Sequence, residues 1–89
     1  MAWAIEWEEK ALKELKKLDK TIQKKILKFL NTRIAKLENP RTSGKSLSYD
    51  KYGLWRYRLE DFRIVCRIDD AEITILVVQV GHRKEIYDR

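Results

Sequence analysis

Arg56, Arg58, Arg63 and Arg67 fall within one stretch, LWRYRLEDFRIVCRI (54–68), at even spacings inside each of two apolar segments. Guanidinium is planar, permanently charged and able to donate two parallel hydrogen bonds to the oxygens of one phosphate. A cluster of such groups could bind RNA or DNA, or it could stabilise the extra negative charge of a phosphoryl-transfer transition state. Catalysis would also need proton transfer, and an arginine, which stays protonated throughout the ordinary pH range, is a poor base. The other candidates stand near the C-terminus: His82, whose imidazole can donate or accept a proton, Arg83 and Tyr87. Each has an ordinary alternative. His82 could be a surface residue beyond the turn-permitting Gly81, and Tyr87 could pack its ring on Trp55 or a sheet edge.

The elements that must position these groups are legible in the same stretch. Its alternation predicts a strand at about 54–59, a two-residue turn at Glu60-Asp61 and a returning strand at 62–69. With that turn, Leu59 opposes Phe62, Arg58 opposes Arg63, Tyr57 opposes Ile64 and Arg56 opposes Val65. Trp55, Tyr57, Leu59, Phe62, Ile64, Cys66 and Ile68 then face a core, and the four arginines share the opposite face. Like charges set opposite one another destabilise a strand pair by a few tenths to about 1 kcal/mol, so folding gives no reason to keep them. A slip of one residue would turn every arginine inward.

A further strand is expected at 72–80, where EITILVVQV is almost continuously apolar, as in a central strand covered on both faces. Its turn lies around Asp70-Ala71, and the tail GHRKEIYDR reads as polar, with room for one helical turn. At the other end, AWAIEW (2–7) predicts a strand feeding a helix. From Ala11 to Leu37 apolar residues recur at threes and fours between lysines, the stripe of an amphipathic helix. Asp19 is placed to cap a second piece and divide this region into a helical hairpin. The helical lysines could grip phosphates, but a helix packed on a sheet needs a solvated face in any case. The loop 38–53 holds the only proline and two of the three glycines; its Arg41, Lys45 and Lys51, with Arg67, are candidate RNA contacts.

Composition narrows the class. The 89 residues predict one domain, 1–89, with a modest core and a single active face. A net charge of +6, with the excess before residue 68, favours a polyanionic partner. Cys66 stands alone and in register with core residues, which predicts a buried thiol and no cysteine metal cluster; His82 is the only histidine. No metal and no cofactor are expected. No apolar run reaches the roughly 20 residues of a membrane span and the start lacks the order of a secretion signal, so a cytoplasmic location is expected, with no membrane partner.

YGLWRYR, then FRIVCRI, then VGHRKEIY, with ALKELKKLDKTIQKKI and ENPR before them, resemble the RelE/ParE superfamily of bacterial toxins, closest to its RelE-type branch. The resemblance covers essentially the whole chain. It implies an α+β fold, a twisted, mainly antiparallel sheet of about four strands with an N-terminal helical hairpin on one face. It further implies an mRNA interferase, a ribosome-dependent endoribonuclease that cuts mRNA in the ribosomal A site and is neutralised by a cognate antitoxin. Such enzymes work without a metal, activating the ribose 2′-hydroxyl against the adjacent phosphate. Carried onto this chain, the resemblance assigns Arg56, Arg58, Arg63 and Arg83 to phosphate binding and transition-state charge, and Tyr87 or His82 to proton transfer. Arg56 and Arg58 stand where some members have lysine, and Glu60-Asp61 where relatives often have glycine. Two alternatives remain: a ParE-type toxin that inhibits DNA gyrase without nuclease activity, and an inactive toxin fold kept as a binding module.

Overall fold

A computed structural model describes residues 2–47 and 53–82. Strand β1 (Ala4–Trp7) leads into α1 (Glu9–Lys16) and α2 (Lys20–Phe29), whose last turns continue as a π-helix over Leu30–Ile34. A 3-10 turn at Pro40–Thr42 precedes a two-residue strand β2 (Lys45–Ser46), and β3 (Leu54–Leu59), β4 (Phe62–Asp69) and β5 (Thr74–His82) complete the sheet. The strand order is β1-β5-β4-β3-β2. Among the described residues only the β1–β5 pair is parallel.

The helical hairpin forms where capping chemistry divides the stripe. Asp19 accepts a hydrogen bond from the Thr21 amide at 3.1 Å, satisfying one open donor at the start of α2. The Gln23 amide donates back to the Leu18 carbonyl at 2.8 Å, which closes the end of α1. Ala11 and Leu15 of α1 and Ile26, Leu30 and Ile34 of the second helical run then project onto one side of the sheet. They meet Tyr57, Ile64, Cys66, Ile68, Ile75, Val77 and Val80, all buried, in a single core. Burial pushes the Cys66 thiol well above its ordinary pKa, so it remains protonated and inert, as its register with the core predicts.

The sheet is α+β as expected but has five strands rather than four, because β2 lies within the loop assigned to 38–53. Two residues carry no alternation by which a strand could be seen. β5 also differs: it begins at Thr74 instead of Glu72 and runs on through Gly81 and His82. The turn before it absorbs Glu72 and ends at Ile73, held at φ 49°. Helices seal only one of its faces; on the other, Leu76 and Gln79 are half-buried. It is central only along Thr74–Val77, where β1 flanks it opposite β4.

The hairpin turn supplies one prediction. Glu60 takes φ 55°, a left-handed conformation that costs a side-chain-bearing residue about 1–2 kcal/mol relative to glycine. Its ion pair to Lys25 at 3.0 Å is half-exposed on both sides and offsets little of this. Glu60→Gly is therefore expected to stabilise the protein by about 0.5–1 kcal/mol in urea unfolding, with the β3–β4 register unchanged.

Candidate nucleic-acid interface

The β3–β4 register is the expected one: Leu59 pairs with Phe62, Arg58 with Arg63, Tyr57 with Ile64 and Arg56 with Val65. Pairing across the sheet sorts the face away from the helices into rows. Arg58, Arg63 and Gly81 form the row next to the hairpin turn. Lys45, Arg56, Val65 and Gln79 form the second, and Leu54, Arg67, Leu76 and Glu6 the third. Side chains directly opposite lie about 5 Å apart at Cβ, and rows about 7 Å apart, so Lys45 flanks Arg56, Arg56 lies beside Arg58 and Arg63 flanks Arg58 in a chain of four cations.

The electrostatics of these neighbours favour an anion. Among the described residues neither Arg56 nor Arg58 has a carboxylate within 4 Å. The Arg56 Nε is buried and finds no acceptor among them, an arrangement that costs about 1–3 kcal/mol until an acceptor arrives. Arg63 is only 3 % exposed, so its charge acts through a less polar surrounding than that of exposed Arg58 and attracts a nearby anion more strongly. Gly81, its partner on β5, is buried beside it.

The structure separates the other candidates. Arg67 is on the predicted face but shares a shallow depression with Glu6, Asp69 and Glu72. The pairing of β1 with β5 brings Glu6 there, and three carboxylates disfavour phosphate beside Arg67. Arg41 does not join the cluster: its guanidinium binds Asp70 at 3.0 Å, beyond the far end of β4 and about 20 Å of strand from Arg63. That hydrogen bond holds the Asp70 carboxyl below its usual pKa range.

His82 also departs from expectation. It pairs with Phe62, a core-facing residue, and its ring packs edge-on against the Phe62 ring at 5.5 Å. The cause is a β-bulge opposite Val65/Cys66, where Cys66 pairs with Val77 and Val65 with Gln79, leaving Val78 as the extra residue. Strict alternation from Ile75 and Val77 would have put His82 among the arginines. The bulge reverses the parity, so Gly81 faces the arginines and His82 the core side. Lys51, Arg83 and Tyr87 lie outside the described residues.

Trp55 and Tyr57, expected on the core face, also position β2. The Trp55 indole donates to the Ser43 carbonyl at 2.6 Å and the buried Tyr57 hydroxyl to the Pro40 carbonyl at 2.8 Å. Burial drives the Tyr57 pKa upward, so this hydroxyl stays a donor.

Comparison with known proteins agrees with this geometry. Residues 5–87 match the family described as the ParE toxin of type II toxin-antitoxin systems, parDE. The chain is 32% identical to the mRNA interferase toxin RelE of Escherichia coli K12 over 98% of this chain and 92% of that one. It is 28% identical to toxin RelG of Mycobacterium tuberculosis over the whole of both chains. Among solved structures, the toxin-antitoxin complex RelBE2 of M. tuberculosis superposes with a TM-score of 0.83 at 25% identity, covering 93% of each chain. A mutant of E. coli toxin RelE in the free state gives 0.78 at 26% identity, covering 98% of this chain and 90% of that one. Five strands, a helical hairpin and a basic sheet face thus come together with the match along nearly the whole sequence: the chain belongs to the ParE toxin family, in the RelE/ParE superfamily, and is a RelE-like toxin of a toxin-antitoxin system.

Proposed function

We propose that this toxin is an mRNA interferase, an endoribonuclease that cuts message in the ribosomal A site and so stops translation in the cytoplasm. The observation that carries the reading is the cluster of Lys45, Arg56, Arg58 and Arg63 on one sheet face, Lys45 and Arg58 exposed and Arg63 buried, with a buried Arg56 donor still lacking an acceptor among the described residues. A relative that is 32% identical bears the name mRNA interferase, which supports the same chemistry. In that chemistry the ribose 2′-oxygen attacks the adjacent phosphorus and the bond to the 5′-oxygen breaks. A 2′,3′-cyclic phosphate and a free 5′-hydroxyl remain. The 2′-hydroxyl proton leaves to a base, and another proton is delivered to the departing 5′-oxygen. Arg56, Arg58 and Arg63 hold the phosphate and offset the charge that grows on its non-bridging oxygens. Arg83 joins them in this proposal. Tyr87 is the proposed proton-transfer group, since His82 points to the other face.

The RelBE2 relative is a toxin-antitoxin complex, and a cognate antitoxin is proposed as the partner that blocks this face. A second reading has its own observation, the family description that names ParE and parDE: a toxin that arrests growth by inhibiting DNA gyrase without cutting RNA. One experiment separates them. Added to a bacterial translation extract, the protein should leave cuts within A-site codons on primer extension of the message. Growth arrest with DNA damage and intact messages would instead establish the gyrase reading.

A further inference from the structure

We propose that Trp55 and Tyr57 are positioning residues: by clamping the Asn39–Gly44 loop to β3, they hold Lys45 beside Arg56 as an exposed phosphate-binding cation of the arginine face. This inference rests on the phosphate-binding reading of that face. Its starting point is the size of β2. A two-residue strand has too little ladder to keep its own register, yet Lys45 pairs squarely with Arg56 and Ser46 with Trp55. Something outside β2 must fix it.

Four features immediately upstream do so. The Trp55 indole binds the Ser43 carbonyl at 2.6 Å, and the Tyr57 hydroxyl binds the Pro40 carbonyl at 2.8 Å. Between them the loop is stiffened by Asn39, whose side chain accepts from the Arg41 amide at 3.0 Å. Gly44, at φ 78°, then lies so close to β3 that an added Cβ would stand 2.4 Å from the Arg56 carbonyl oxygen and 2.8 Å from the Trp55 Nε1. Only glycine permits this approach. The next residue is Lys45. Trp55 and Tyr57 thus act from the core side of β3 on a cation of its opposite face, and no part of either ring needs to touch RNA.

The test uses a short 2′-O-methyl RNA oligonucleotide, which cannot be cut, with binding followed by fluorescence anisotropy across a salt series. Lys45→Ala should weaken binding roughly 3- to 10-fold and reduce the salt slope by about one phosphate contact. Trp55→Phe removes the indole donor and keeps a smaller aromatic ring on the core side; it should reproduce both changes, and should add nothing in the Lys45→Ala background. Tyr57→Phe removes one hydroxyl and gives the same comparison if Trp55→Phe does not fold. A Trp55→Phe or Tyr57→Phe protein with unchanged slope, or with losses that multiply those of Lys45→Ala, would overturn the positioning role. Arg56→Ala and Arg58→Ala serve as the reference. If they weaken binding while the clamp variants do not couple to Lys45, the clamp alone is refuted; if they too leave binding intact, the phosphate-binding reading falls and the clamp with it.

Discussion

Arg58→Ala should slow cleavage of ribosome-bound message by about 10²- to 10³-fold while making the protein slightly more stable. Both effects come from one pairing. Arg58 stands directly across from Arg63, and two like charges in that position cost the sheet a few tenths to about 1 kcal/mol. Alanine relieves the repulsion, and Arg58 is exposed, so no cavity opens. In the proposed mechanism it also removes a preorganised cation from the position where the transition state gathers charge. Arg58→Lys separates charge from geometry: it keeps the repulsion and the field but loses the two-pronged donation, so its rate should fall between wild type and alanine, without the gain in stability. Single-turnover cleavage in a translation extract and urea unfolding, measured on the same preparations, check the pair. A loss of activity accompanied by a loss of stability would mean that Arg58 serves the fold.

What could be read from the residues, and what could not, follows from the range of the interactions. The Arg58–Arg63 pairing was legible because a two-residue turn and unbroken alternation on both sides leave a single register that buries Tyr57 and Ile64. The helical hairpin was legible because the Asp19 cap is local. Arg41 was misassigned because its partner, Asp70, is 29 residues away in sequence. Arg67 looked equivalent to its neighbours until parallel pairing of β1 placed Glu6 in the same row. The face that His82 takes could not be read, because the strand was expected to end at Val80 and a bulge gives no sign in a run as uniformly apolar as ITILVVQV. Its only trace was the spacing of three between buried Val77 and Val80, which is clear once their burial is known.

The separation of the two sheet faces implies an opposite pattern for a core change. Ile64 is fully buried on β4 between Arg63 and Val65, paired with Tyr57 on one side and Val80 on the other. Ile64→Ala removes three carbons from the centre of the only core cluster among the described residues, and such truncations cost about 2–5 kcal/mol. A domain of this size is stable by only about 5–10 kcal/mol, so close to half of the total is at stake. At roughly 4–8 °C per kcal/mol the melting midpoint should fall by about 10–30 °C. Ile64 nevertheless points toward the helices and the arginines point away. Assayed well below its midpoint, the Ile64→Ala protein should cut message at a rate within about threefold of wild type, because the open face keeps its register and its charges. Arg58→Ala should be stable and nearly inactive; Ile64→Ala should be unstable and, while folded, active. If cold Ile64→Ala lost as much activity as Arg58→Ala, packing beneath the sheet would be setting the arginine geometry directly, and the two faces could no longer be treated as independent.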